Sequence, residues 1–253
     1  MNKIALITGA TSGIGKATTI KLAELGYNLI ITGRRADRLN ELSKEISKKY
    51  TVSIKSLQFD VRNYKEVEFA INSLESPWKE ISLLINNAGL ALGATPIQKG
   101  LVEDWDQMLD TNVKGLLYIS KMIMPIMIER QSGHIVNIGS IAGKEVYLNG
   151  NVYCASKFAV DAISKGMRAD LLPHGIKVTC ISPGMVETEF SNVRFKGDDA
   201  AAKKVYEGLI PLIGEDIADA IAYVVSRPNH VNINEMSITP TAQASVYYNH
   251  RTL

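Results

Sequence analysis

The chain has 253 residues, of which 46% are hydrophobic and 21% are charged, and its formal net charge is +2. These values are typical of a globular protein with one α/β domain, which we take to be residues 1–253, and no cluster of Lys and Arg interleaved with aromatic residues indicates nucleic-acid binding. The longest mostly apolar stretch, residues 115–128, contains Lys121 and is too short to span a bilayer.

Short runs rich in Val, Ile and Leu, each ending in Gly, Asn, Asp or Ser, predict the strands. In chain order they are KIALITG, YNLIITG, VSIKSLQFD, ISLLINNAG, GHIVNIGS and IKVTCISPG, with a seventh near NINEMSITP. The segments between them predict helices over residues 15–25, 36–50, 64–74, 102–130, 152–172 and 215–226. This alternation predicts a parallel sheet with helices on both faces, whose ligands bind outside the carboxyl ends of the strands.

The location of the protein is predicted from its first strand and its cysteines. A strand-like run begins almost at Met1, which leaves no room for a signal peptide. Cys154 and Cys180 cannot build a disulfide framework and match no metal-ligand spacing. We therefore expect a cytoplasmic protein that binds no metal.

A glycine-rich turn follows the first strand in the sequence TGATSGIG. Glycines at a turn into a helix let the backbone approach a pyrophosphate, which the free N–H groups and dipole of the helix then stabilise. The residues predicted to bind a dinucleotide here are Gly9, Thr11, Ser12, Gly13, Ile14 and Gly15. The alternative is a glycine-rich turn that binds nothing.

The ends of the second and third strands indicate which dinucleotide is bound. An NAD site would place an acid after the second strand, whereas this chain has Arg34 and Arg35, which suit a 2′-phosphate. The alternative is a solvated pair bonded to Asp37. After the third strand, Asp60 and the N–H of Val61 are predicted to hold the adenine edge.

The sequence VYCASK carries the predicted chemistry. Tyr153 and Lys157 are four residues apart and share one face of a helix, so the cation is expected to favour the phenolate and lower the pKa of Tyr153 from about 10. Ser140 ends the fifth strand and can reach the same substrate oxygen. Asn112, within the long helix, is a further candidate; the alternative is a buried side chain that ties helix to sheet.

Taken together, TGxxxGIG, NNAG, a Ser before YxxxK, and the pair Pro183-Gly184 resemble the short-chain dehydrogenase/reductase family over essentially the whole chain. The resemblance implies a Rossmann fold with strand order 3-2-1-4-5-6-7, an NAD(P) cofactor and a homotetramer or dimer. It implies that Tyr153 is the acid/base, that Lys157 lowers its pKa and holds the nicotinamide ribose, that Ser140 fixes the substrate oxygen, and that Asn112 holds a relay water. It also places Asn87, Ala88, Gly89, Pro183, Gly184, Val186 and Thr188 against the cofactor.

A narrower resemblance, to the NADP-dependent 3-hydroxy acid dehydrogenases, rests on LALGATP, YLNGNVY, TEFSNVRFKGDD and HVNINEMSITP. It implies oxidation of L-serine, L-allo-threonine or 3-hydroxypropionate, or the reverse reduction. Two alternatives remain: a broad carbonyl reductase acting on sugar, steroid or xenobiotic ketones, and a dinucleotide sensor without catalysis.

The stretch TEFSNVRFKGDD fits neither a helix nor a strand pattern and is predicted to be irregular, part of a substrate lid over residues 185–212. Thr188 is expected to bond the cofactor, and Phe190 and Phe195 to exclude water. A cation must bind the substrate carboxylate in a partly dry site. Arg194 is the first candidate, Lys196 the second and Arg251 the third, if the C-terminal tail reaches a neighbouring subunit.

Overall fold

In the computed structural model, which describes residues 3–252, seven parallel strands form one sheet in the order β3-β2-β1-β4-β5-β6-β7. The strands are β1 (Ile4–Ile7), β2 (Asn28–Gly33), β3 (Ile54–Gln58), β4 (Ile81–Asn86), β5 (Gly133–Ile138), β6 (Ile176–Pro183) and β7 (Glu235–Ile238). The strand order implied by the family resemblance is confirmed, and β7 forms where NINEMSITP predicts it.

Helices cover both faces of this sheet. They are α1 (Gly13–Glu24), α2 (Ala36–Lys49), α3 (Tyr64–Asn72), α4 (Val102–Leu109), α5 (Leu116–Glu129), α6 (Asn151–Leu171), α7 (Glu189–Arg194), α8 (Asp199–Lys204) and α9 (Gly214–Val225). Along the described chain, no helix is both long and apolar enough to cross a membrane.

The two faces follow from the alternation of side chains along the strands. In β1, Ile4 and Leu6 pack in one core with residues of α3, α5 and α6. Ala5 and Ile7 pack in the other core with residues of α1, α2 and α9. Both faces are buried, which explains why β1 consists of apolar residues throughout.

Two sequence-based predictions of local structure need correction. The predicted helix 102–130 is interrupted by a π-helical turn, Asp110–Gly115, between α4 and α5. The stretch TEFSNVRFKGDD is only partly irregular, because Thr188 accepts a hydrogen bond from the N–H of Phe190 and caps α7, Glu189–Arg194. After this helix, Lys196 and Gly197 have φ angles of 54° and 90°, in the left-handed region that stops the helix from continuing. Six residues are too few for an apolar stripe to show in the sequence.

Candidate active site

The carboxyl ends of the central strands open into one cavity of about 510 Å³. It lies where the strand order reverses, because β1 pairs with β2 on one side and with β4 on the other. Segments after β1, β2, β3, β4, β5 and β6 and residues of α6 and α7 line it. The predicted residues that line this cavity are Gly9, Thr11, Ser12, Gly13, Ile14, Arg34, Arg35, Asp60, Val61, Asn87, Ala88, Gly89, Ser140, Tyr153, Lys157, Pro183, Gly184, Val186, Thr188 and Arg194.

The turn after β1 has a backbone path that requires glycine. Gly9 and Gly13 have φ angles of 64° and 49°, which disfavour other residues. A Cβ on Gly15 would lie 2.2 Å from the carbonyl oxygen of Gly9 and 2.4 Å from Nδ2 of Asn87. Gly15 is not among the lining residues. Its lack of a side chain lets the first turn of α1 pack closely against Gly9 and Asn87.

Asn87 joins the ends of β1 and β4. Its Nδ2 donates to the carbonyl oxygens of Thr8, at 2.9 Å, and Gly9, at 3.1 Å. Thr8 Oγ1 in turn accepts from the backbone N–H groups of Asn87 and Ala88, both at 3.0 Å. The two turns that flank the crevice are thus held at a fixed separation.

Cations line one end of the cavity. Arg35 Nη2 donates to Thr11 Oγ1 at 3.0 Å and to Ser12 Oγ at 3.3 Å, so its guanidinium lies against the glycine turn. The side chain of Arg34 is 59% exposed, and its nearest acid is Asp60 at 3.9 Å. Neither arginine forms an ion pair with Asp37 among the described residues, but their side chains are 59% and 42% exposed, as the alternative of a solvated pair predicts.

The carboxylate of Asp60 is held by an arginine that the sequence analysis did not identify. Arg62 donates to Oδ1 and Oδ2 of Asp60 at distances from 2.6 to 3.1 Å. Burial alone would raise the pKa of Asp60, but the hydrogen bonds from Arg62 outweigh burial and hold it below its ordinary value. Asp60 therefore faces the cavity as a fixed, ionised acceptor.

Ser140, Tyr153 and Lys157 meet at the inner end of the cavity. Ser140 follows β5, and its Oγ accepts from the N–H of Ala142 at 3.1 Å. Tyr153 and Lys157 lie one turn apart on α6, and Lys157 Nζ is 6.0 Å from the centroid of the Tyr153 ring. Nζ donates to the carbonyl oxygen of Ile138 at 2.9 Å, which anchors the buried lysine to the end of β5.

The pKa of Tyr153 differs from the sequence-based expectation. Burial raises it above its ordinary value, and the Ser140 hydroxyl and the Arg194 guanidinium only partly oppose that rise. Burial also lowers the pKa of Lys157 to about 8. Because both groups are dry, desolvation dominates the attraction between them, and Tyr153 is protonated at neutral pH.

The side chain of Asn112 ties the π-helical turn to the segment after β4. Its Nδ2 donates to the carbonyl oxygen of Leu90 at 2.8 Å and to Ser156 Oγ at 2.9 Å, and its Oδ1 accepts from the N–H of Leu90 at 2.8 Å. Both amide hydrogens are thereby used, and Asn112 is not among the lining residues. This matches the alternative in which the side chain ties helix to neighbouring structure.

The segment between β6 and α9 closes the cavity on the outer side. The rings of Phe190 and Tyr153 pack edge to face, with centroids 5.6 Å apart. Arg194 lines the cavity: its Nε donates to the carbonyl oxygen of Gly93 at 3.1 Å and its Nη1 to the hydroxyl of Tyr147 at 2.7 Å.

Two residues predicted to face the substrate, Phe195 and Lys196, are not among the residues that line the cavity. Arg251, whose prediction depends on a neighbouring subunit, does not line the cavity of its own chain. Lys196 pairs instead with Asp104 at 2.9 Å, and Arg251 donates to the carbonyl oxygens of Glu207 and Val205. Arg194 is the one member of the three proposed cations that reaches the cavity.

Sequence reasoning missed several polar residues of the cavity wall, among them Tyr147 and Gln243. Tyr147 lies in YLNGNVY, a stretch whose resemblance was noted without a role for this hydroxyl. Gln243 comes from the C-terminal segment, and its Oε1 accepts from the N–H of Met185 at 2.8 Å. Because these residues reach the site only through tertiary packing, no spacing in the sequence indicates either of them.

Comparison with known proteins adds a family and several relatives. Residues 3–199 match the family model described as short chain dehydrogenase. The chain is 46% identical over 242 residues to the NADP-dependent 3-hydroxy acid dehydrogenase YdfG of Escherichia coli (strain K12), covering 95% of this chain and 96% of that protein. It is 44% identical over 245 residues to sulfoacetaldehyde reductase 2 of Chromohalobacter salexigens, with 96% of each chain covered. Among solved structures, the closed form of serine dehydrogenase complexed with NADP+ matches with a TM-score of 0.93 and 45% identity, over 99% of this chain and 100% of that one.

The packing at Gly15 generates a stability prediction. Gly15→Ala should lower the free energy of unfolding by about 1–3 kcal/mol, because its Cβ would overlap the Gly9 carbonyl and the Asn87 amide. Gly166→Ala is the matched control, since no atom lies within 4 Å of its Cβ in the middle of α6. It should stabilise the protein by about 0.5–1 kcal/mol. Denaturant unfolding measures both, and equal effects of the two substitutions would contradict the assignment.

Proposed function

Because this chain belongs to the short-chain dehydrogenase family, we propose that its NADP-dependent dehydrogenase activity acts on the 3-hydroxyl of short 3-hydroxy acids. L-serine, L-allo-threonine and 3-hydroxypropionate are the substrates in this class, together with the corresponding semialdehydes or keto acids in the reverse direction. The observation that carries the proposal is Arg194, a guanidinium whose carbon lies 5.9 Å from the centroid of the Tyr153 ring inside the cavity. The identity to relatives named for 3-hydroxy acids supports it.

The lining residues suit NADP in shape and charge. Gly9 and Gly13, which have positive φ angles and no side chains, leave room for a pyrophosphate beside the N-terminus of α1. We assign the 2′-phosphate to Arg34 and Arg35, and the adenine to Asp60 and Val61. We assign the nicotinamide half of the cofactor to Asn87, Ala88, Gly89, Tyr153, Lys157, Pro183, Gly184, Val186 and Thr188. When bound, NADP supplies or accepts the hydride.

Side chains of the protein position the substrate oxygen and transfer the proton. Ser140 fixes that oxygen, and Tyr153 donates a proton to it during reduction or accepts one during oxidation. Lys157 holds a positive charge beside the ring and stabilises the phenolate that forms. Asn112 holds the π-helical turn in place, and we retain as a proposal that a relay water binds there.

The substrate carboxylate is assigned to Arg194 and Tyr147. Arg194 donates to the Tyr147 hydroxyl, which leaves the hydrogen of that hydroxyl directed to another acceptor. A carboxylate between them receives a charge-assisted and a neutral hydrogen bond in a site that Phe190 shields from water. A neutral ketone leaves these donors unpaired, which is why we favour the hydroxy acid over the broad carbonyl reductase.

We also propose a homotetramer, located in the cytoplasm. Large apolar side chains are exposed along α4, α5 and the residue before α4, namely Leu101, Val102, Leu109 and Leu117. Large apolar side chains that stay exposed to water are frequent at protein–protein interfaces. The segment 185–212 is assigned as the substrate lid.

Cofactor selectivity tests the assignment of the arginines. Charge-assisted bonds to a phosphate contribute about 1.5–3 kcal/mol, so kcat/KM should favour NADP over NAD by more than about tenfold. The double substitution Arg34→Ala and Arg35→Ala should remove most of this preference, and Arg34→Ala alone should remove part of it while changing kcat/KM with NAD little. Equal use of NADP and NAD by the unmodified protein would rule the assignment out.

Because the pKa of Tyr153 is raised, kcat/KM should depend on pH in opposite ways for reduction and for oxidation. Reduction needs the protonated phenol, so its kcat/KM should be constant near neutral pH and fall only at alkaline pH. Oxidation needs the phenolate and should accelerate as the pH rises from neutral. Tyr153→Phe should abolish turnover in both directions while NADPH binding, followed by fluorescence, persists. Near-normal kcat in that variant would refute the role.

The substrate class is tested by removing the guanidinium. Arg194→Ala should reduce kcat/KM for 3-hydroxypropionate by about 2 kcal/mol, or about thirtyfold, and spare an uncharged alcohol of similar size. Lys203→Ala is the matched control, because this exposed lysine of α8 does not line the cavity, and it should leave both substrates unchanged. If Arg194→Ala weakens both substrates equally, the residue shapes the lid and the hydroxy-acid proposal loses its support.

A further inference from the structure

A cluster of three charges joins the lid to the opposite wall of the cavity. Glu189 is the first residue of α7, and Arg35 and Arg38 lie at the beginning of α2. We call this cluster the Glu189 clasp. Glu189 lies more than 150 residues after both arginines, and nothing in the sequence patterns relates them.

The two arginines contact Glu189 unequally. Arg38 Nη1 donates to both carboxylate oxygens, at 2.7 and 2.9 Å. Arg35 Nη1 reaches one oxygen at 3.3 Å, while its Nη2 is bound to Thr11 and Ser12. Arg38 is therefore the principal partner, and Arg35 can turn to another anion without opening the clasp.

The carboxylate is ionised in this arrangement. Partial burial would raise the pKa of Glu189, but the hydrogen bonds from Arg38 and Arg35 lower it below its ordinary value. The side chains of Glu189 and Arg38 remain 49% and 38% exposed, so water and salt reach the pair. Its strength is consequently modest and depends on ionic strength.

The clasp lies directly over the glycine turn. Thr188, the residue before Glu189, packs so closely on the turn that a Cβ on Gly13 would lie 3.0 Å from its side chain. At its other end, α7 is fixed by Arg194 on Gly93 and by Lys196 on Asp104. Thr188 and Glu189 thus hold the first end of α7 beside the glycine turn, where the proposed dinucleotide lies.

We propose that the Glu189–Arg38 pair retains the bound cofactor by holding the lid across the cleft, and that Arg35 is shared between this pair and the 2′-phosphate. Glu189 and Arg38 are positioning residues, because neither is assigned a contact with the reacting atoms. Arg38 also does not line the cavity. The inference goes beyond the proposed function, because it concerns NADP alone and holds whichever alcohol is the substrate.

The competing explanation is that the Glu189 carboxylate occupies the place of the 2′-phosphate and is displaced by NADP. The two explanations predict opposite effects of Glu189→Gln. If the pair retains the cofactor, its loss speeds the release of both NADPH and NADH. If the carboxylate competes with the phosphate, its loss tightens NADPH and leaves NADH unchanged.

Stopped-flow fluorescence of NADPH and NADH release from the full chain measures the difference. Glu189→Gln and Arg38→Gln should each increase both release rates about two- to fivefold, the factor expected of an exposed ion pair. The double variant should show no further increase, because the two residues act as one interaction. Added salt should speed NADH release from the unmodified protein more than from Glu189→Gln.

Glu187→Gln is the matched control, because it removes the same charge two residues away from an acid that forms no ion pair within residues 3–252. It should leave both release rates unchanged. Unaltered release from Glu189→Gln, additive effects in the double variant, or slower release of NADPH alone would each overturn the proposal. The release rates are measured without an alcohol substrate. Failure of the retention proposal is therefore distinguishable from failure of the hydroxy-acid assignment.

Discussion

The close approach of the turns after β1 and β4 is the constraint on which the site depends. Thr8 and Asn87 cross-link these turns through four hydrogen bonds between side chain and backbone. Gly9 and Gly15 make the approach sterically possible, because a Cβ at either position would lie 3.0 Å or less from the opposing atoms. These contacts fix the two edges of the crevice at the switch point, and they do so without any contact from a cofactor.

Beneath this crevice, buried polar groups fix the elements that carry the reacting residues. Asn86 Nδ2 donates to Ser120 Oγ on α5 and to Asn137 Oδ1 on β5, each at 2.9 Å. Asn137 Nδ2 donates in turn to Ser164 Oγ on α6, also at 2.9 Å. This chain crosses from β4 to α6, the helix that carries Tyr153 and Lys157. In this buried network Asn86 Oδ1 has no partner among the described residues, but the three hydrogen bonds specify one arrangement of β4, β5, α5 and α6, which is what a catalytic residue needs.

The sequence predicts the sheet and most of the cofactor cleft because both depend on local patterns. Apolar runs and their terminal residues define the strands, and every lining residue at a strand end lies within a few positions of such a run. The π-helical turn after Leu109 escapes prediction because the apolar pattern continues through it. Tyr147, Gln243 and the Glu189 clasp escape it because they depend on contacts between distant segments. The direction of the Tyr153 pKa shift was predicted wrongly because spacing gives the distance to Lys157 and says nothing of how dry the pair is.

The attachments of Arg35 have a consequence for protein engineering. A designer who wishes to convert this scaffold from NADP to NAD would ordinarily replace both arginines that follow β2. The side chain of Arg34 is exposed and only weakly paired with Asp60, so Arg34 can be replaced independently of the rest of the site. Arg35 is at once a brace of the glycine turn and a partner of the lid, so exchanging it also alters the geometry of the turn and the closure of the lid. Cofactor preference at this second position is inseparable from the mechanics of the scaffold, and redesign needs a replacement that restores the hydrogen bonds to Thr11 and Ser12.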